Sequence, residues 1–127
     1  VLTGVEAALQ RALDEGWSMV LEGIHLVPGM ITTHLEGAIV IHCLLGIRDE
    51  EIHRTHFWIR DEASDGVRPV DRYIAGLPEI RMIQEYLLDR AARCDVPVIE
   101  NNSQADAVDA VMELVLEQAE RVAQAAR

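Results

Sequence analysis

The stretch that decides the fold reads Ser18-Met-Val-Leu-Glu-Gly-Ile-His-Leu-Val-Pro-Gly29. Its short apolar run, from Met19 to Leu21, is typical of a strand buried on both faces of a sheet. In open α/β sheets, ligands bind beside the carboxyl ends of the strands. Glu22 and His25 follow this run within four residues, so the sequence predicts that both side chains face a ligand site.

Strand and helix patterns alternate along the rest of the chain. A helical pattern over residues 3–16 precedes the first strand, residues 38–45 give the strongest strand signal, and residues 96–99 form a third short strand pattern. Helices are predicted between and after these strands, with Asp49 as a candidate N-cap. This order predicts an α/β fold in which about three parallel strands form a partial three-layer sheet with flanking helices. We expect residues 1–127 to form a single domain that is part of a larger fold, because three strands are few for such a sheet.

The composition argues against several classes of protein. The net charge of −11 disfavours binding to nucleic acid or to an anionic membrane surface. No apolar run approaches the roughly 20 residues that a transmembrane helix needs. Cys43 and Cys94 lack the spacing of a metal site and fit reduced thiols. We therefore expect a cytoplasmic protein that binds neither nucleic acid nor a membrane.

Arginine supplies all of the strongly basic side chains. The sequence has eleven arginines and no lysine, and five of the arginines lie in one 25-residue window: Arg48, Arg54, Arg60, Arg68 and Arg72. Because a guanidinium binds phosphate or carboxylate through two parallel hydrogen bonds, the window suggests a site for a small anionic metabolite. A salt-bridged surface helix explains the same spacing equally well. His53 and His56 alone are too few ligands for a metal ion, so no metal ligands are assigned.

Four segments carry a family resemblance when they are taken in order. They read Leu21-Glu-Gly-Ile-His-Leu-Val-Pro-Gly29, His53-Arg-Thr-His-Phe-Trp-Ile-Arg60, Arg72-Tyr73 with Ile80-Arg-Met-Ile-Gln-Glu-Tyr86, and Val96-Pro-Val-Ile-Glu-Asn101. Together they resemble the carboxyl-terminal part of 2-phosphoglycerate kinase and its relatives among the P-loop kinases. The first segment is the most specific of the four, and the others support it mainly by their succession.

The resemblance implies an ATP- and Mg²⁺-dependent transfer of a phosphoryl group to 2-phosphoglycerate, which gives 2,3-bisphosphoglycerate. It implies that Glu22 lies near the metal and the acceptor hydroxyl, that His25 lines the acceptor pocket and that Asn101 borders the nucleotide. It also implies a lid over residues 48–72. In that lid Arg54, Arg60 and Arg72 would bind the substrate, with Arg48 and Arg68 beside them.

One feature of the family is absent from this sequence. The phosphate-binding loop of P-loop kinases ends in Gly-Lys-Ser/Thr, and the chain has no lysine and no such turn. We expect that loop to lie ahead of Val1 and predict that this chain alone does not turn over ATP. Whether it acts as an enzyme is left open. The alternatives are a non-catalytic domain that binds an anionic metabolite, or an oligomerisation module that forms a homo-oligomer.

Overall fold

The computed structural model describes residues 1–64, 67 and 69–127, and within them lie five helices and two strands. In chain order they are α1 (Leu2–Glu15), β1 (Leu44–Gly46), α2 (Glu50–Ala63), α3 (Val70–Ala75), α4 (Leu77–Arg93), β2 (Val98–Glu100) and α5 (Gln104–Ala125). Arg68, which was predicted to be a lid arginine, lies outside the described residues.

The two strands pair in parallel, in the register Leu44 to Val98, Leu45 to Ile99 and Gly46 to Glu100. A parallel pair needs a long crossover connection, because the chain must return to the same end of the sheet before the second strand begins. Helices α2, α3 and α4 form that connection. The prediction of an α/β fold with a parallel sheet and flanking helices is therefore confirmed.

The number of strands differs from the prediction, because the Ser18–Glu22 segment forms no strand in the described part of the chain. Its central residue, Val20, is 93% exposed. A strand exists by pairing with a neighbour, and no described residue pairs with this segment. The apolar run is present as predicted, but an apolar run alone does not supply the adjacent strand that it needs.

Both observed strands are also short. The amide of Leu44 donates a hydrogen bond to the carbonyl of Pro97 at 2.9 Å. Pro97 has no N–H, so it cannot donate the next hydrogen bond of the ladder to the residues that precede Leu44. Pro97 therefore limits the ladder at its amino end, and residues 38–43 lie outside the sheet.

The hydrophobic core lies where α2, α3 and α4 meet. Phe57, Val70 and Leu77 are buried there, one from each of these helices, and the partly buried side chains of Tyr73, Ile74 and Ile80 pack against them. The predicted lid segment, residues 48–72, thus contributes Phe57 and Val70 to the core. None of the helices that the structure describes is long and apolar enough to cross a membrane.

Candidate functional site

The carboxyl ends of the two strands form a polar junction. β1 continues into Ile47, Arg48 and Asp49, while β2 ends at Glu100 and continues into Asn101. The amide of Asn101 donates to the carbonyl of Gly46 at 2.7 Å, which keeps the two exits side by side. This is the edge where open α/β sheets bind ligands. We call it the carboxyl edge and define it by residues 46–50 and 100–102.

Arg48 and Glu100 connect the two exits directly. The backbone amide of Arg48 donates to Oε1 of Glu100 at 2.7 Å, and its Nη1 donates to Oε2. The carboxylate of Glu100 is therefore bound by the backbone and the side chain of one residue. Because the Arg48 side chain is largely exposed, this pair fixes geometry more than it adds stability.

Two side chains of α4 bind the backbone of the β1–α2 turn. The amide group of Gln84 accepts from the N–H of Ile47 at 2.9 Å and donates to the carbonyl of the same residue at 2.8 Å. Arg81 donates to the carbonyl of Arg48 at 2.7 Å and to that of Ile47 at 3.3 Å. The turn that presents Arg48 is consequently held from outside the sheet.

The start of α2 adds the carboxylates of Asp49 and Glu50 to the carboxyl edge. Asp49 is the N-cap, as predicted, and its carboxylate accepts from the amide of Ile52 at 2.9 Å. Glu50 lies between two arginines, with Arg54 Nη2 at 3.0 Å from one carboxylate oxygen and Arg81 Nε at 3.7 Å from the other. Acid in the first turn is favourable because the helix dipole presents partial positive charge there.

Carboxylates outnumber guanidinium groups by one in the described part of this region. Three guanidinium groups face four carboxylates at the edge, and the residues are Arg48, Arg54, Arg81, Asp49, Glu50, Glu51 and Glu100. An anion that binds here must therefore replace a carboxylate on an arginine instead of meeting an unpaired positive charge. The predicted concentration of arginines is present, but each of these three is already paired.

Two histidines of α2 lie beside this network. His53 is 9% exposed, and its ring centroid lies 5.1 Å from that of Phe57. Burial lowers the pKa of His53, and the positive charges of Arg81 and His56 lower this pKa further against an opposing effect of Glu50. His56 Nε2 lies 3.1 Å from the carbonyl oxygen of Asn102. The buried position of His53 thus favours its neutral form.

No metal site forms from these groups within the described residues. Among residues 1–64, 67 and 69–127, no three His, Cys, Asp or Glu side chains come together in a way that could hold a metal ion. Mg²⁺ commonly binds through one or two carboxylates together with substrate phosphates and water. The described side chains do not by themselves form a complete cage for it.

The predicted lid arginines occupy different surroundings. The guanidinium carbon of Arg60 lies 4.3 Å from the ring centroid of Tyr73 and 5.4 Å from that of Phe57, between α2 and α3. Its Nη2 atom is buried and makes no hydrogen bond to the residues that the structure describes. Arg72 is exposed, and no ion pair joins it to any other described residue. Neither residue contacts the network around Glu100.

The segment from Ser18 to Gly29 is anchored at its carboxyl end. Arg90 donates from Nε and Nη2 to the carbonyl of Pro28, at 3.0 and 2.8 Å, and Pro28 is fully buried. Gly29 has φ +78°, and a Cβ there would lie 2.6 Å from Cys94 Sγ. The Pro28–Gly29 turn is therefore packed closely against the carboxyl end of α4.

Glu22 and His25 lie in the exposed segment ahead of that turn. Neither side chain makes a hydrogen bond or an ion pair with another residue that the structure describes. Their predicted approach to the arginines of residues 48–72 is thus not formed through any described contact. The structure places Arg48 and Asn101 at the carboxyl edge and pairs Arg54 with Glu50 of that edge. It leaves Glu22, His25, Arg60 and Arg72 elsewhere.

Three residues of this network were not singled out from the sequence: Arg81, Gln84 and Glu100. The position of Glu100 directly after a predicted strand was a usable signal, of the same kind that singled out Glu22. Arg81 and Gln84 lie in the quoted segment 80–86, but their spacing of three residues is ordinary for a helix face. Their contacts depend on how closely α4 approaches β1, and this distance is not encoded in local spacing.

Comparison with known proteins identifies relatives along most of the chain. The 2-phosphoglycerate kinase of Methanocaldococcus jannaschii is 38% identical over 118 residues, which are 92% of this chain and 38% of the relative. The enzyme of that name from Pyrococcus horikoshii is 38% identical over 117 residues, covering 92% of this chain and 38% of the relative. That from Methanothermobacter thermautotrophicus is 39% identical over 113 residues, 88% of this chain and 37% of the relative.

The matched region is a minor part of each relative. The chain spans a little more than a third of the length of these curated proteins. No family model matches the chain, and no solved structure matches it significantly. Over the region that it covers, the chain is similar to proteins named 2-phosphoglycerate kinase.

Proposed function

We propose that this chain is part of an ATP- and Mg²⁺-dependent kinase that phosphorylates 2-phosphoglycerate to 2,3-bisphosphoglycerate. The observation that carries the proposal is the match of proteins named 2-phosphoglycerate kinase along about 92% of the chain. The arginines at the carboxyl edge of a parallel sheet support it, because phosphoryl transfer depends mainly on positioning and on stabilising negative charge.

The residues of this chain do not fit a nucleotide-phosphate site by themselves. A P-loop kinase binds the β- and γ-phosphates with a backbone loop and a lysine, and it binds Mg²⁺ with the hydroxyl that follows. The sequence contains no lysine, and the described residues gather no metal ligands. We therefore propose that the nucleotide and its metal are bound mainly outside this chain, with Asn101 bordering the nucleotide.

On this proposal the chain supplies the acceptor side of the reaction. A molecule of 2-phosphoglycerate carries a phosphate and a carboxylate, which suit pairs of guanidinium groups. Arg48 and Arg54 are held at the carboxyl edge by Glu100 and Glu50. A phosphate that displaces one of these carboxylates meets an arginine whose position is already fixed, so little conformational entropy is lost on binding.

The other predicted residues complete the proposed acceptor site. Glu22 orients the 3-hydroxyl of the acceptor, and His25 lines the pocket around it. Residues 48–72 act as a lid, in which Arg60 and Arg72 bind the acceptor phosphate. For Arg60, the stack on Tyr73 supports the proposal because it holds the guanidinium in one orientation. Closure must then bring the exposed Glu22 segment and the lid to the same phosphate.

A second candidate is a non-catalytic module that binds an anionic metabolite or associates with another copy of itself. The observation that favours it is the lack of any Gly-Lys-Ser/Thr turn in the sequence. The two candidates differ in whether the chain works together with a nucleotide site, and this difference can be measured.

The test is phosphoryl transfer followed by ³¹P NMR with ATP, Mg²⁺ and 2-phosphoglycerate. Two proteins are compared: the natural polypeptide that carries this sequence, and the 127-residue chain alone. We expect 2,3-bisphosphoglycerate from the first and none from the second. Absence of product from the natural polypeptide at any acceptor concentration would refute the kinase proposal, and turnover by the chain alone would refute the assignment of the nucleotide site.

A further inference from the structure

We infer that Gln84 is a positioning residue that holds the β1–α2 turn and so fixes Arg48 at the carboxyl edge. The inference rests on the proposed function where it concerns the acceptor, but its structural part stands on hydrogen bonds alone. Gln84 is uncharged and contacts the turn only through the backbone of Ile47. It acts through Arg48 and not on a ligand.

The Gln84 side-chain amide pairs with the backbone of Ile47 in the way that a neighbouring strand would. Its oxygen accepts from the N–H of Ile47 at 2.9 Å, and its nitrogen donates to the carbonyl of Ile47 at 2.8 Å. Both polar groups of one backbone residue are thereby satisfied by a single side chain. Ile47 itself is buried, so without Gln84 its N–H would lose its hydrogen bond without replacement, while its carbonyl would keep only the longer bond from Arg81 at 3.3 Å.

Helix α4 packs beside Gly46 at the end of β1. A Cβ at Gly46 would lie 3.5 Å from Leu88 Cδ2 and 4.0 Å from Gln84 Oε1. The helix therefore lies directly over the end of β1, where the glutamine reaches the next residue. These are ordinary van der Waals distances, so α4 packs against position 46 without a clash.

Fixing Ile47 determines where Arg48 leaves the sheet. The amide and the guanidinium of Arg48 both bind Glu100, and Arg81 binds the carbonyl of Arg48 at 2.7 Å. The peptide that joins Ile47 to Arg48 contains both the carbonyl bound by Gln84 and the N–H bound by Glu100, so fixing one end of this planar group orients the other. Gln84 binds this peptide through the carbonyl of Ile47, and Glu100 binds it through the N–H of Arg48.

Two substitutions at position 84 separate the two hydrogen bonds. Gln84→Met has nearly the same shape and removes both bonds. Gln84→Glu keeps an oxygen that accepts from the N–H of Ile47 but has no donor for the carbonyl when it is ionised. The matched control is Gln118→Met on α5, a half-buried glutamine for which the structure shows no hydrogen bond to another described residue.

The first readout is amide hydrogen exchange measured by NMR on the 127-residue chain. In Gln84→Met we expect the amides of Ile47 and Arg48 to exchange about tenfold faster or more, relative to Ile99 in the same sample. In Gln84→Glu the amide of Ile47 should stay protected, because its acceptor remains. Gln118→Met should change neither amide. Equal protection of Ile47 and Arg48 in all variants, or a uniform loss across the chain, would overturn the inference.

The second readout is the affinity for 2-phosphoglycerate, measured by calorimetry on the same proteins. We expect a dissociation constant about tenfold higher in Gln84→Met and unchanged in Gln118→Met, at temperatures where both are folded. Faster exchange with unchanged affinity would overturn the link between Gln84 and the acceptor. Failure of the unsubstituted chain to bind 2-phosphoglycerate would count against the proposed function, while the exchange data would still decide the positioning of Arg48.

Discussion

Replacing Gly29 by alanine tests how closely the Pro28–Gly29 turn is docked on α4. Gly29 has φ +78°, and a Cβ would lie 2.6 Å from Cys94 Sγ and 2.9 Å from Arg90 Nη2. A left-handed backbone costs a residue with a Cβ roughly 1–2 kcal/mol, and overpacking a close contact typically costs about 1–3 kcal/mol more. We therefore expect Gly29→Ala to lower the free energy of unfolding by about 2–5 kcal/mol.

The chain offers a control that separates the two contributions. Gly16 ends α1 with φ +68°, but a Cβ there would meet nothing within 4 Å. Gly16→Ala should therefore lose only the backbone contribution, roughly 1–2 kcal/mol. The contact contribution should be relieved by Cys94→Ala, because that substitution removes the nearest atom. In a double-mutant cycle, Gly29→Ala and Cys94→Ala should be coupled by about 1 kcal/mol or more.

Urea unfolding followed by circular dichroism measures all four variants on one scale. The midpoint and the slope are fitted together, so that a change in the denatured state can be recognised from the slope. The docked turn would be refuted if Gly29→Ala were no more destabilising than Gly16→Ala. It would also be refuted if Cys94→Ala failed to restore any of the stability lost in Gly29→Ala.

Three further outcomes are expected. Tyr73→Leu removes the ring beneath Arg60, whereas Tyr73→Phe keeps it. The free energy of unfolding should therefore be about 1 kcal/mol lower in Tyr73→Leu than in Tyr73→Phe. Equal melting temperatures of the two variants would contradict the stack of Arg60 on Tyr73. The pKa of His53 is lowered in the folded protein, so the unfolded chain binds the proton more readily and stability falls as the pH drops below about 6.5. Between about pH 7.5 and 5.5, the free energy of unfolding measured with urea should therefore depend less on pH in His53→Leu than in the unsubstituted chain. The same dependence on pH in both proteins would count against a lowered pKa of His53. Arg54→Ala should weaken binding of 2-phosphoglycerate about tenfold or more in calorimetry, while Arg93→Ala, which removes an exposed pair with Asp89, should not; equal effects would exclude a specific role for Arg54.

The fold class was predictable because it depends on local order. Asp49 caps α2 as expected, since a cap needs only an aspartate three residues ahead of a free amide. The segment 96–99 overlaps β2, because the apolar run and its partner both lie within this chain. The prediction of a strand at Ser18–Glu22 was wrong because no partner for it lies in the described part of this chain. Its apolar residues are present, but a strand also needs a neighbour, and the sequence of one segment does not show whether that neighbour is there.

The candidate site was predictable only in part. Arg48, Arg54 and Asn101 lie near the carboxyl ends of the strands, and topology alone places such residues at one edge. Gln84 and Arg81 were missed because they bind backbone groups, which have no signature in the sequence. The docking of Gly29 under Cys94 depends likewise on residues 65 positions apart along the chain. These contacts follow from how the helices pack, which local patterns do not determine.

The measurement that most directly tests the acceptor site is a titration of the ¹⁵N-labelled chain with 2-phosphoglycerate, followed by NMR. We expect the amides of Arg48, Arg54 and Asn101 to shift together with one saturable dissociation constant, and Arg54→Ala to weaken that constant. Unchanged spectra at millimolar ligand, or shifts confined to α1 and the carboxyl end of α5, would contradict an acceptor site at the carboxyl edge of the sheet.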